Sequence, residues 1–125
     1  MKAATFAAIA ALALSAAPTM AVAMTVQEFL TTANRIPRNP TALLRSDARR
    51  LMSEINGAFK SVRDDQAAAT AAGRRGATCI PAGTKISVSP DMILNRFNAI
   101  PAHRRSISVT QAVREWMAEE HPCPA

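Results

Sequence analysis

Two cysteines and two histidines are the residues of this chain best suited to bind a metal or react as nucleophiles. Cys79 lies in the middle of the sequence, and His121 and Cys123 lie close together at its end. A metal site made from these three residues would lack a fourth protein ligand of the usual kind, and their spacing matches no zinc motif. A disulfide between the two cysteines is the other interpretation. The choice between a metal site and a disulfide depends on whether the protein lies in a reducing or an oxidising compartment.

Acidic pairs are the second feature with catalytic potential. Asp64-Asp65 and Glu119-Glu120 are both interpreted as solvated helix residues rather than as general acid and base. No glycine-rich phosphate loop stands between a strand and a helix. The sequence therefore predicts a protein that is not an enzyme and that has no cofactor and no metal.

The first 23 residues are typical of an export signal. Lys2 is the sole charge, Phe6 to Leu14 form a continuous apolar run, and Ala21-Val22-Ala23 is a small-x-small cleavage site. The run is shorter than the about 20 residues that span a bilayer. We predict that residues 1–23 are removed, that residues 24–125 form a single periplasmic domain, and that this domain has no stable membrane anchor.

Export favours the disulfide, because unpaired structural thiols are uncommon outside the cytosol. A bond between Cys79 and Cys123 closes a loop of about 45 residues, for which chain entropy predicts roughly 4 kcal/mol of stabilisation. The stability of a whole domain is about 5–15 kcal/mol. The bond would therefore tie a central loop to the C-terminal tail with an effect large enough to decide whether the fold persists.

The charge of the chain after removal of the signal is moderately basic. Without Lys2, 14 basic and 9 acidic residues remain, a formal charge of +5. A basic surface can attract nucleic acid, anionic lipid or an acidic protein. Because nucleic acid is not an expected partner of an exported protein, we predict none.

Helix-capping sequences divide the chain into about four helices. Thr25-x-x-Glu28 and Ser108-x-x-Gln111 are capping boxes. Asn39-Pro40 and Ser89-Pro90 are each a cap followed by a first-turn proline. No convincing strand alternation appears beyond the short segment Lys85–Val88. The predicted fold class is all-α, a small bundle of about four helices.

Apolar spacing predicts which helix faces lie in the core. The second and longest helix has one stripe at helical spacing: Leu44, Ala48, Leu51, Ile55, Phe59 and Val62. The three methionines beyond the start of the domain are interpreted as core residues rather than copper ligands: Met52, Met92 and Met117.

The segment that begins at Cys79 resembles the Tai/Rap (resistance-associated protein) family, small exported immunity proteins of type VI secretion systems. The residues that carry the resemblance are Cys79-x-Pro81-x-Gly83-Thr84, then Phe97-x-x-Ile100-Pro101-x-x-Arg104, then Pro122-Cys123-Pro124. Ile55-Asn56-Gly57 is similar, more weakly, to an Ile-x-Gly of the family's central helix. The family usually has a further cysteine and an aromatic residue just before that point, and residues 51–54 contain neither.

The resemblance implies a helical periplasmic protein that binds a toxic effector, typically a peptidoglycan-cleaving amidase, and blocks its active site. It also implies two further features: a homodimer, which members of the family often form, and loops between helices that enter the effector's cleft. The candidate partner-binding residues are then those of two loops: Gly83, Thr84, Lys85, Ser87 and Ser89 in the first, and His103, Arg104 and Arg105 in the second.

Two other functions stay open on the sequence alone. One is a periplasmic helical protein that binds a small ligand or an envelope component. The other is a metal-handling protein, which requires that Cys79 and Cys123 be free thiols.

Overall fold

The structure is a computed structural model that describes residues 23–124. It has four α-helices in this range: α1 (Val26–Asn34), α2 (Ser46–Ala71), α3 (Pro90–Asn98) and α4 (Val109–Glu120). Two 3-10 segments, Pro40–Leu44 and Ala102–Arg104, precede α2 and α4. Because these 102 residues contain no β-strand, the predicted all-α class is confirmed.

The predicted export signal lies almost entirely within residues 1–22, outside the described part of the chain, and stays a prediction. Among residues 23–124, none of the helices has both the length and the apolar character that crossing a bilayer demands.

The predicted helix starts are confirmed for three helices by hydrogen bonds from backbone N–H groups to capping hydroxyls. These bonds are Glu28 N to Thr25 Oγ1 at 3.1 Å, Met92 N to Ser89 Oγ at 3.2 Å, and Gln111 N to Ser108 Oγ at 3.0 Å. Each satisfies one of the backbone donors that a helix leaves unpaired in its first turn.

The C-terminal end of α2 is a Schellman motif. Gly73 has φ of 64°, a left-handed conformation that favours glycine. Arg74 N donates to Ala69 O at 2.8 Å, and Gly73 N donates to Thr70 O at 3.1 Å. The glycine therefore stops the helix at the point predicted from the sequence.

The core lies mainly between α2 and α4, with α1 and α3 packed beside them. Phe29 of α1 meets Phe97 of α3 edge to face, with ring centroids 5.1 Å apart. Phe59 of α2 lies against Trp116 of α4 at 6.1 Å. Such aromatic pairs add about 0.5–1.5 kcal/mol each beyond their buried area.

Backbone hydrogen bonds join the start of the described chain to the start of α4. Val26 N donates to Ile107 O, and Val109 N donates to Met24 O, both at 2.9 Å. Met24 is buried. The segment before α1 is therefore part of the folded domain and holds the residues that precede α4.

Three predictions about local structure were wrong. The long helix begins at Ser46 rather than after Pro40, because a 3-10 turn comes first and Arg45 is extended at φ −78° and ψ 141°. This break in helical register turns Leu44 away from the core stripe and into solvent. Met52 and Met92 are also exposed, whereas Met117 is buried as expected.

Lys85–Val88 has the burial alternation of a strand without being one. Ile86 and Val88 are half-buried against the core, and Lys85 and Ser87 are exposed. No backbone partner pairs with them in residues 23–124, so the segment is an extended strap rather than part of a sheet.

The predicted disulfide is present. Cys79 and Cys123 are bonded, with their Cα atoms 4.8 Å apart. Cys79 N also donates to His121 O at 2.8 Å, and Thr78 pairs with Pro122 in an isolated antiparallel bridge. The central loop is thus tied to the C-terminal tail by covalent and hydrogen bonds together.

We expect the double substitution Cys79→Ser and Cys123→Ser to lower the free energy of unfolding by about 2–4 kcal/mol, because the unfolded chain regains the freedom that the closed loop removes. Urea unfolding followed by Trp116 fluorescence measures this change. Wild-type protein treated with dithiothreitol is the matched control and should unfold at the same urea concentration as the variant. Equal stability of oxidised and reduced protein would contradict the expectation.

Candidate functional site

The loop that follows α2 is fixed by a glutamine of that helix. The Gln66 side chain accepts from Ile80 N and donates to Ile80 O, each at 2.9 Å. Ile80 itself is buried and belongs to the core. Since Ile80 directly follows Cys79, the amide clamp and the disulfide act on neighbouring residues and leave this point of the loop little freedom.

The first predicted loop continues as a turn and then as the strap. Thr84 N donates to Pro81 O at 3.1 Å, and Gly83 has φ of 80°. A positive φ at the third position is typical of a type II turn. Gly83, Lys85 and Ser87 are exposed and Thr84 is half-buried. These four residues are therefore at least partly accessible to a partner.

Ser89, the last residue of that predicted set, has a structural role. Its hydroxyl accepts from Met92 N as the N-cap of α3. A partner can reach Ser89, which is exposed, only in competition with this bond.

The two arginines of the second loop have different contacts. Arg105 donates to Ile100 O at 3.0 Å and to Asn98 O at 3.1 Å, and so caps the C-terminal end of α3. Arg104 donates to a Glu115 carboxylate oxygen at 2.8 Å, with both side chains partly exposed. Arg105 therefore holds the loop, whereas Arg104 and the exposed His103 face solvent.

A cleft of about 540 Å³ lies between the C-terminal end of α3 and α4. Its apolar part is formed by Ala99, Ile100, Pro101, Ala112 and Ala118. The three alanines leave room for a larger group above them.

Two ion pairs line the same cleft. Arg104 and Glu115 form one, and Arg96 and Glu119 form the other at 2.6 Å. Glu119, predicted to be a solvated residue, is largely exposed and forms an ion pair with Arg96. The cleft thus offers an apolar floor with charged groups of both signs beside it, an arrangement suited to binding.

The two predicted loops lie at opposite ends of α3. Ser89 caps the N-terminal end, Pro101 follows the C-terminal end, and the nine-residue helix between them is about 13 Å long. No hydrogen bond or ion pair joins the loops within residues 23–124. The structure therefore places the predicted residues on two surfaces, and only the second loop contributes to the cleft.

Sequence reasoning missed three residues of the site: Arg96, Glu115 and Gln66. Arg96 of α3 pairs with Glu119, and Glu115 pairs with Arg104, so both ion pairs depend on how α3 and the second loop pack against α4. Gln66 stands at the start of an alanine-rich stretch, and a glutamine in the middle of a helix has no local sequence signature of a clamp on a distant backbone.

The cysteine sulfurs are bonded to each other and are not thiolate ligands in this structure. Over residues 23–124, no three side chains of histidine, cysteine, aspartate or glutamate cluster as they would around a metal ion.

Comparisons of the chain with protein-family models, with curated proteins and with solved structures find no match.

We expect Gln66→Ala to lower the free energy of unfolding by about 1–3 kcal/mol, because it leaves the N–H and C=O of buried Ile80 without partners. Gln27→Ala is the matched control: Gln27 is exposed and its side chain bonds only to Thr31. Urea unfolding of the two variants measures the difference. A Gln66→Ala protein as stable as Gln27→Ala would show that the clamp contributes nothing.

The neighbouring arginines provide a second test of the assigned contacts. Arg105→Ala should destabilise the fold by about 1–3 kcal/mol, since two helix-end carbonyls lose a charged donor. Arg104→Ala should change stability by less than about 1 kcal/mol, because an exposed ion pair contributes little. Thermal unfolding of both variants distinguishes them, and the reverse order of stability would refute the assignment.

Proposed function

We propose that this protein is an exported immunity protein that binds a toxic effector protein and blocks its active site. The observation that carries the proposal is the cleft beside Pro101, where the second loop of the family-like segment meets α4. Its apolar floor and two ion pairs form a surface on which a side chain of a partner can be buried and oriented.

The rigidity of this surface supports inhibition. Arg105 caps α3 and leads directly into Ile107, whose carbonyl accepts from Val26 N at 2.9 Å. The loop is thus fixed at both ends before any partner arrives. Pre-ordering removes part of the entropy that binding would otherwise lose.

The charges of the cleft support a protein partner. Arg104 and Arg96 are each held by one glutamate and keep further donors, since a guanidinium has five N–H groups. A carboxylate of the effector can bind Arg104, while an apolar side chain of the effector covers Ile100 and Pro101. Buried apolar anchors surrounded by polar contacts are typical of specific interfaces.

The disulfide supports a periplasmic location, because such bonds persist in oxidising compartments. Together with the predicted signal in residues 1–23, it is consistent with a protein that meets its toxin outside the cytosol. The resemblance of residues 79–124 to the Tai/Rap family supplies the effector class that we propose, a peptidoglycan-cleaving amidase. A homodimer is part of the same proposal.

A second function is favoured by the volume of the cleft. At about 540 Å³ it falls within the roughly 300–1,000 Å³ of small-molecule sites. The alternative is therefore a periplasmic helical protein that binds a small ligand or an envelope component in this cleft. Copurified lipid or ligand, identified by mass spectrometry of the native protein, would favour it.

We expect Arg104→Glu to abolish protection of cells against the toxin encoded beside this gene. The change brings a third carboxylate to the cleft and removes the donor to Glu115, so affinity should fall by about thirtyfold, equivalent to about 2 kcal/mol. Growth of cells that coexpress both proteins, and titration calorimetry of the purified pair, measure the two effects.

Arg63→Glu is the matched control, because Arg63 is exposed on α2 and does not line the cleft. It should protect as well as wild type. Full protection by Arg104→Glu would place the interface elsewhere. If no adjacent gene product is toxic or binds the protein, the immunity function itself is wrong.

A further inference from the structure

The strap, residues 85–88, carries backbone groups that the rest of the domain does not use. None of its N–H or C=O groups forms a hydrogen bond with another part of residues 23–124. The N–H of Ser89, the next residue, also has no partner in this range. Folded proteins pair nearly all backbone groups that are withdrawn from water. A row of unpaired donors and acceptors on an extended segment is a template for another extended chain.

The strap and the residue on each side of it have the sequence and burial pattern of a β-strand. Over residues 84–89, β-branched side chains that are half-buried alternate with polar side chains that are exposed. The β-branched residues are Thr84, Ile86 and Val88, and the polar residues are Lys85, Ser87 and Ser89. β-Branched residues favour strands, and no proline interrupts the segment. Within residues 23–124, it lacks only a strand beside it.

Both ends of the strap are fixed in the free protein. Before the strap, Ile80 is held by the Gln66 amide clamp. After it, Ser89 caps α3. Between these points, Ile86 and Val88 pack against the core. An edge that is already ordered loses little conformational entropy when a second strand is added to it.

The two edges of the strap differ in their free donors. In an extended chain, the N–H and C=O groups of every second residue point to the same edge. The edge formed by the three polar residues has three free N–H groups. The edge formed by the three β-branched residues has two, because Thr84 N donates to Pro81 O. Since unpaired N–H groups are rarer in proteins than unpaired carbonyls, the first edge, which we name the polar edge, is the one that most needs a partner.

We infer that the strap is a docking site at which an extended segment of another protein adds to the polar edge as a β-strand. Main-chain hydrogen bonds supply the affinity in this mode of recognition. Lys85 is exposed and forms no ion pair within residues 23–124. An acidic side chain of the added segment fits beside it. The strap shares no residue with the cleft beside Pro101, and the inference does not rest on the proposed immunity function.

A second copy of this chain does not fit the polar edge. In a two-fold symmetric dimer the strap would pair with itself. Residues 84–89 contain a lysine and no acidic residue. Self-pairing would therefore bring two Lys85 ammonium groups to one small interface without a carboxylate for either, and like charges at an interface are unfavourable. A segment of a different protein can supply that carboxylate.

Capture with matched variants tests the inference. Wild-type protein, Ser87→Ala and Ser87→Pro are immobilised in the oxidised form, and the proteins that each enriches from an extract of the native cells are quantified by mass spectrometry. Ser87→Ala keeps the backbone N–H and should enrich the same protein as wild type. Ser87→Pro removes this N–H and places a ring at the polar edge, so enrichment should fall at least about tenfold.

The enriched protein is then purified and titrated by calorimetry. Ser87→Ala should bind as wild type does, and Ser87→Pro at least about tenfold more weakly. Lys85→Glu should weaken binding by about fivefold, because a charge pair between neighbouring strands contributes modestly. Urea unfolding is the control for the fold: Ser87→Pro should unfold at the same urea concentration as Ser87→Ala, since the Ser87 N–H has no partner within residues 23–124.

Amide exchange measured by NMR gives a readout that requires no substitution. In the saturated complex, the amides of Lys85, Ser87 and Ser89 should exchange at least about tenfold more slowly than in the free protein. Those of Ile86 and Val88 should change much less. This alternation identifies a strand on one edge, because such a strand covers every second N–H.

Five results would overturn the inference. Three concern capture and affinity: no protein is enriched, only a second copy of this chain is enriched, or Ser87→Pro binds as well as wild type. The fourth is a Ser87→Ala variant that loses binding as fully as Ser87→Pro, which would assign recognition to the side chain. The last is exchange that is slowed equally at consecutive amides of the strap or is not slowed at all.

Discussion

The covalent bond between Cys79 and Cys123 is the constraint on which the path from α2 to α3 depends. Residues 72–89 connect these helices without a helix or strand of their own, and loops of this length are uncommon inside small domains. The disulfide fixes the loop against the tail, and the Gln66 amide fixes the next residue against α2. These two contacts keep Ile80 buried. The position of Ile80 in turn sets the direction in which the strap, residues 85–88, runs toward α3.

Helix α4 connects the disulfide-bonded tail to the cleft. One face of α4 packs against α2 through Trp116 and its buried neighbours, and its tail leads into Cys123. Its other face carries Glu115 and Glu119, which bind arginines from α3 and from the loop before α4. The cleft is therefore assembled from elements that are each held at more than one point. This is the physical basis for our proposal that the cleft is a preformed binding surface.

Local signals made much of the fold predictable. Capping hydroxyls, first-turn prolines and Gly73 act within four or five residues of their partners, so their effects can be read from the sequence. The disulfide was predictable because only two cysteines are present and because residues 1–23 are typical of an export signal. Arg104 is one of the candidate partner-binding residues that the resemblance implies, and in the structure it lines the cleft.

Contacts between distant elements were not predictable. Gln66 meets Ile80 across 14 residues, and Arg96 meets Glu119 across the interface of two helices. The exposure of Leu44 depends on the extended backbone of Arg45, which interrupts an apolar stripe that reads as continuous in the sequence. In each case the contact or the exposure is set by the tertiary structure, and the spacing of residues along the sequence does not indicate it.

We propose that the protein presents a preformed surface beside Pro101 to a protein toxin. Hydrogen–deuterium exchange of the oxidised protein, alone and saturated with the purified product of the adjacent gene, tests this most directly. We expect slower exchange for the amides of residues 99–107 and of the exposed side of α4 when the partner is bound, and little change in α2. Unchanged exchange in residues 99–107, with protection confined to other segments, would contradict it.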